Sequence, residues 1–120
     1  MADRTNPPPS EALKELGEQL SDPSLKSSTR ILILISLALN RKMSFVTLLG
    51  LTGTGKGSLF NHLEKLEASG YVTTKTIKTF GGYRANVEIT EKGLEAYNSL
   101  LRILNSFQQT DGAIDPSGAI

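Results

Sequence analysis

The chain has 120 residues, a formal net charge of +1, one histidine and no cysteine, which suits one small domain and excludes disulfides, thiol redox chemistry and zinc–thiolate sites. His62 has no second histidine to join in a transition-metal cluster and no visible Ser-His-Asp or Cys-His partners, so no metal, no cofactor and no enzyme activity is expected. The small total charge hides an uneven layout: residues 41–84 hold Arg41, Lys42, Lys56, Lys65, Lys75, Lys78 and Arg84 against only Glu64 and Glu67, while both flanks are acidic, and a basic centre points to an anionic partner.

Residues 1–9 end in three prolines and read as a flexible arm; the domain is expected over 10–107, with a flexible Gly- and Pro-containing tail over 108–120. Ser10 is placed to cap a first helix carrying Leu13, Leu16 and Leu20 at i, i+3 and i+7. Asp22-Pro23 is the start signal of a second helix running to about Asn40. Its "ILILISLAL" run is only about half the ~20 residues needed to cross a bilayer, and "MADRTNPPP" has no apolar signal region, so a cytoplasmic protein is expected. The run can be a buried strand, but its continuation without a turn residue favours a helix buried centrally, apolar around its axis.

"MSFVTLLGL" (43–51) reads either as a strand leading into a phosphate-binding loop or as a short strand followed by a two-turn helix at roughly 44–50. The loop reading fails on chemistry. Gly50 to Lys56 matches seven positions of G-x-x-x-x-G-K-[ST], but the eighth is Gly57, which has no hydroxyl for magnesium. The only aspartates after Lys56, Asp111 and Asp115, lie in the tail rather than at the end of a second apolar strand, and helix, hairpin, helix cannot build a parallel sheet.

A helix over about 54–69 accounts for the same stretch. At 100° per residue Leu59, Leu63 and Leu66 share one face, while Thr54, Ser58, Asn61, His62 and Lys65 gather on the other, which holds no carboxylate. The glycines before it make a tight turn and Gly70 ends it with a left-handed cap. "YVTTKTIKT" and "YRANVEI", joined by "FGG", read as a β-hairpin in which Tyr83, Ala85, Val87 and Ile89 alternate with Arg84, Asn86 and Glu88. Thr90 caps a last helix, whose Leu94, Tyr97, Leu101 and Leu104 are expected in the core. Leu100, Ile103 and Phe107 widen its apolar arc to about half the circumference.

"LLGLTGTGKGSLFNHLEKLEASGYV" followed by "TIKTFGGYRANVEITEKGLEAY" resembles the winged helix-turn-helix transcriptional regulators, closest to the MarR-like and ArsR-like groups, over residues 25–104. The resemblance implies a mostly α fold: a three-helical core, a small β-hairpin wing, and additional N- and C-terminal helices. It also implies a homodimer that binds double-stranded DNA sequence-specifically, with the helix at 54–69 in the major groove and the wing at 71–89 on the flanking backbone or minor groove. Cysteine-based or histidine-cluster sensing, used by some such regulators, has no residues here, and a small-molecule effector has no support in the sequence.

On this reading Asn61 and His62 reach base edges, Thr54 and Ser58 reach phosphate or bases, Lys65 reaches phosphate, Lys56 meets a phosphate in the turn, and Lys78 and Arg84 serve from the wing. His62 is equally readable as a structural histidine, and the wing cations as a solvated, aggregation-blunting hairpin edge. Leu13, Leu16, Leu20, Leu100, Ile103 and Phe107 form the candidate dimer seam, unless the first helix folds over the last within one chain. The competing function is a winged-helix module that binds another protein.

Overall fold

The computed structural model describes residues 9–108, with side chains for 10–106. The expected arm and tail lie outside the described residues except for Pro9 and Gln108, and so does the side chain of Phe107. The elements run α1 (Pro9–Leu20), a 3-10 turn (Pro23–Leu25), α2 (Ser28–Asn40), β1 (Lys42–Ser44), α3 (Phe45–Thr52), α4 (Lys56–Ala68), β2 (Val72–Thr79), β3 (Gly82–Ile89) and α5 (Glu91–Gln108). The expected class, mostly helical with a β-hairpin, is the one found.

Several boundaries differ from expectation, each for a local reason. α1 begins at Pro9, so Ser10 lies in its first turn rather than capping it; proline is tolerated there because the first amide would have no intrahelical partner. Asp22 does act as a cap, but only of the 3-10 turn, accepting from the Ser24 N–H at 3.0 Å. Ser27 then caps α2 afresh, accepting from the Arg30 N–H at 3.3 Å. Two competing caps five residues apart split what the pattern reads as one helix. α3 is capped by Ser44, which accepts from the Thr47 N–H at 3.1 Å, and Gly50 lies within that helix rather than in a loop after a strand, which removes the phosphate-loop geometry.

β3 is the central strand of an antiparallel sheet ordered β1-β3-β2. The register pairs Met43 with Val87 on one side, and runs from Val72↔Ile89 to Thr79↔Gly82 on the other. The core lies between this sheet's base and α2, α3 and α4, around Leu34, Leu37, Leu48, Leu59, Leu66 and Val87, all fully buried. α2 is not enclosed on all sides: Arg30, Ile33, Leu34 and Leu37 face the core, while Leu32, Ile35 and Leu39 on its other side are exposed.

α4 ends in a paired cap: the Gly70 N–H donates to Glu67 O and the Tyr71 N–H to Leu66 O, both at 2.9 Å. Gly70 has φ 81°, which a side chain would resist. Thr90 then ties this turn to α5, donating from its hydroxyl to Gly70 O at 2.6 Å and accepting from the Gly93 N–H at 3.0 Å. Gly93 is required by contact: a Cβ there would meet Tyr71 O at 2.3 Å.

The face expected to be core on α5 is turned outward. Ala96, Leu100 and Ile103 are its buried apolar side chains, with Leu94 and Tyr97 partly covered and Leu101 and Leu104 exposed. α1 packs along α5, burying Ala12 and joined by a Glu15–Arg102 ion pair at 2.8 Å. Covering by α1 selects the stripe one step round the helix, a choice the α5 sequence alone leaves open because both stripes are apolar.

Candidate nucleic-acid interface

α3 and α4 meet through a three-residue turn, 53–55. Gly53 has φ 68° and donates its N–H to Leu49 O at 3.0 Å. Thr52 and Thr54 share a hydroxyl–hydroxyl bond at 3.1 Å, so Thr54 is partly engaged in fixing the turn. Gly55 stands at the N-cap of α4 and supplies no side-chain acceptor. The first N–H groups of α4 therefore lack a side-chain cap, and this positive end of the helix lies beside the exposed Lys56, an arrangement favourable to an anion.

Leu59, Leu63 and Leu66 are buried, at no more than 3 % exposed. Turning α4 over would expose three leucines at about 1.5–3 kcal/mol each, more than the ~0.5–1.5 kcal/mol of a surface hydrogen bond, so the apolar side decides its orientation. Ser58, Asn61 and Lys65 are consequently exposed. Glu64 and Glu67 are exposed too, but on the helical wheel Glu64 lies to the side of that row and Glu67 nearly opposite it.

His62, at the edge of the row, is half-buried and takes part in a network the sequence does not announce. Its Nδ1 lies 2.9 Å from Nη1 of Arg30. Arg30 is buried and also donates from Nε to Ser24 O at 2.7 Å and from Nη2 to Pro23 O at 3.2 Å. A guanidinium only donates, so Nδ1 accepts and the imidazole proton sits on Nε2. Among the described residues no buried side-chain nitrogen or oxygen lacks a partner, which leaves Nε2 open to solvent as a donor. Burial, then the charges of Arg30 and Lys65, hold the His62 pKa below its ordinary value, keeping it neutral at physiological pH. The two readings of His62 thus belong to different nitrogens of one ring.

A second clamp lies at the end of α4. The Tyr71 hydroxyl donates to Asp22 Oδ2, Asp22 Oδ1 accepts from both Ser24 N–H and Oγ, and Lys92 Nζ stands 5.6 Å above the Tyr71 ring. Burial pushes the Asp22 carboxyl up, but the donors from Tyr71 and Ser24 and the charge of Lys92 outweigh it and its pKa is lowered. Burial and the bond to Asp22 push the Tyr71 phenol up to about 12. The 3-10 turn between α1 and α2 therefore grips α4 through His62 and the chain just beyond it through Tyr71. Sequence reading missed Arg30, although a lone cation in phase with Ile33, Leu34 and Leu37 was its available signal.

On the hairpin, Lys75 is paired with Glu88 at 3.1 Å. Lys78 and Arg84 are exposed and make no ion pair with any described residue. They lie on opposite faces, Lys78 opposite Tyr83 and Arg84 opposite Ile77 in the register. Phe80 at the tip is fully exposed, at 112 % of its reference area, and was not singled out from the sequence. The structure thus brings Ser58, Asn61, His62 and Lys65 to one side of α4, while Lys56, its first residue, is out of phase with that row and belongs to the N-terminal turn. Lys78 and Arg84 are carried separately by the projecting hairpin.

The winged helix DNA-binding domain family matches residues 29–108. The chain belongs to that family. A transcriptional regulator homologue from Pyrococcus horikoshii OT3 is 30 % identical, with a TM-score of 0.65 over 79 % of this chain and 91 % of its own. The fold is shared with MarR, at 20 % identity and a TM-score of 0.62 over 80 % and 72 % of the two chains. It is shared too with RV1404 from Mycobacterium tuberculosis, at 10 % identity and 0.69 over 90 % and 75 %. No curated protein sequence matches the chain. This winged-helix protein thus shares its fold with MarR, and no helix among its described residues is long and apolar enough to cross a membrane.

Of the candidate seam residues, Leu100 and Ile103 are buried within the single chain, Leu16 and Leu20 are half-buried, and Leu13 is 60 % exposed. Leu16 and Leu20 line one side of an apolar groove of about 350 Å³ whose other walls include Ile31, Ile35, Leu101 and Leu104.

Proposed function

We propose that the protein is a homodimeric, cytoplasmic transcriptional regulator that binds duplex DNA sequence-specifically, with α4 in the major groove and the hairpin wing on the flanking backbone and minor groove. The observation that carries this reading is the outward side of α4: a row of amide, hydroxyl, imidazole N–H and ammonium groups with no carboxylate, held out by three buried leucines. Asn61 and the Nε2–H of His62 are the groups suited to base edges. Lys56, Ser58 and Lys65 suit phosphates, Thr54 holds the turn and reaches the backbone, and Lys78 and Arg84 act from the wing.

The second copy sits on the apolar groove of α1, α2 and α5. Leu13, Leu101, Leu104 and the outer side of α2 give that face more exposed apolar surface than one chain uses, and exposed patches of this kind mark association sites. Leu16 and Leu20 reach it from the groove wall, whereas Leu100, Ile103 and α1 support it from beneath. Two-fold symmetry then sets two half-sites about one helical turn, ~34–36 Å, apart.

Titration onto a random duplex at several salt concentrations tests the reading. Affinity should fall steeply with salt, with a log-log slope of about −0.9 per phosphate contact, and Lys65→Glu should bind more weakly at unchanged melting temperature. No binding even at low salt would move the protein to the competing class, a winged-helix module that binds another protein.

A further inference from the structure

The tip of the hairpin carries a side chain its turn does not need. Thr79 and Gly82 close the ladder, and Thr79 Oγ1 donates to Gly82 O at 3.1 Å, so the turn is made by backbone and threonine. Phe80 occupies one of the two linking positions, where Gly, Asn or Asp is the usual choice, and leaves its whole ring in water. Beside it Gly81 and Gly82 carry no side chains, so the end of the ribbon is narrow. Behind it, on opposite faces, stand the cations Lys78 and Arg84.

These features fit one kind of surface. The B-DNA minor groove is about 6 Å wide and paired strands lie about 4.8 Å apart, so a ribbon with side chains on both faces is excluded while a glycine-thinned tip can enter. Cations to either side then meet the phosphates of the groove walls, and the point between them is an apolar ring, the kind of group that opens a base step. We propose that Phe80 is a wedge that enters the minor groove beside the α4 footprint and partly unstacks one base step, bending the duplex away from the wing. This rests on the duplex-DNA reading above and adds a contact made by no charged group.

The test uses the full chain and an A·T-rich duplex carrying 2-aminopurine at its TA steps, at low salt. Wild type should raise 2-aminopurine fluorescence. Phe80→Ala should abolish the rise and weaken binding about 10-fold with an unchanged log-log salt slope, because a phenyl ring releases no counterion. Lys78→Ala should instead lower the slope by about one. Phe80→Trp, the only tryptophan in the chain, should keep the fluorescence rise and show quenched emission when bound. An unchanged melting temperature in the Ala variant establishes that folding is intact, as expected for a side chain without contacts. Salt-dependent binding by wild type with equal affinity and signal in Phe80→Ala would sink the wedge and leave the DNA reading standing. Failure of wild type to bind any duplex would sink both. Phe80-dependent binding to anionic vesicles without the 2-aminopurine response would assign the tip to a lipid surface and overturn the proposal.

Discussion

Arg30→Met tests whether the buried network sets the stability of the site. Methionine keeps most of the length and removes the charge, leaving Ser24 O, Pro23 O and His62 Nδ1 without their donor. A hydrogen bond to a charged group contributes about 1.5–3 kcal/mol. The bond to Ser24 O is buried and takes that full range, whereas the bonds to Pro23 O and His62 are only partly buried, so water replaces much of each and ~0.5 kcal/mol apiece remains. Against this, the guanidinium has no carboxylate within ion-pair distance among the described residues, and releasing it recovers desolvation energy, about 1 kcal/mol. The net loss is about 1.5–3 kcal/mol, a fall in melting temperature of about 6–24 °C for a domain of this size. Thermal unfolding followed by circular dichroism, at matched protein concentration because association shifts the midpoint, reads this directly. The salt slope of DNA binding should stay that of wild type, since a buried cation releases no counterion on binding. A variant melting within about 3 °C of wild type would show that the network is a bystander and that apolar packing alone holds α4.

Three further outcomes follow from the same geometry. Because the His62 pKa is depressed, the unfolded chain binds a proton near pH 6.5 that the folded chain refuses; its contribution to stability is complete above about pH 6.5 and is lost as the pH falls. Denaturant midpoints at about pH 7.5 and 5.5 should therefore diverge more in wild type than in His62→Gln, and parallel pH profiles would refute this. Gly93→Ala should destabilise by about 1–3 kcal/mol, because its methyl would collide with Tyr71 O and with Ile89 Cγ1 at 2.7 Å; helix propensity alone favours alanine by ~1 kcal/mol, so a variant as stable as wild type would place α5 further from the hairpin base. Leu104→Glu, at a position 48 % exposed, should sediment as a folded monomer, and a dimer that persists would locate the seam elsewhere. Ile103→Glu is the wrong probe, because it charges a side chain buried in the chain's own interior.

The sequence by itself determined the order of the helices and the hairpin and the orientation of α4, though not the 3-10 turn that precedes α2. Those depend on signals spaced within one or two turns: Leu59, Leu63 and Leu66 on one side, Gly53 and Gly70 where the backbone turns left-handed, and alternation in 83–89. Tertiary structure decided what one segment cannot encode about another. The two apolar stripes of α5 satisfy the same periodicity, and only the approach of α1 selects Ala96, Leu100 and Ile103 to be buried. The double identity of His62 likewise depends on Arg30, 32 residues away, whose guanidinium dictates which imidazole nitrogen is left to donate. The tip residue Phe80 shows its exposure only when the hairpin projects from the body and no other element comes near enough to cover it. Local pattern sets what an element is because its energies lie within the helix or strand; which of its faces meets a partner is settled by competition among surfaces the chain brings together only on folding.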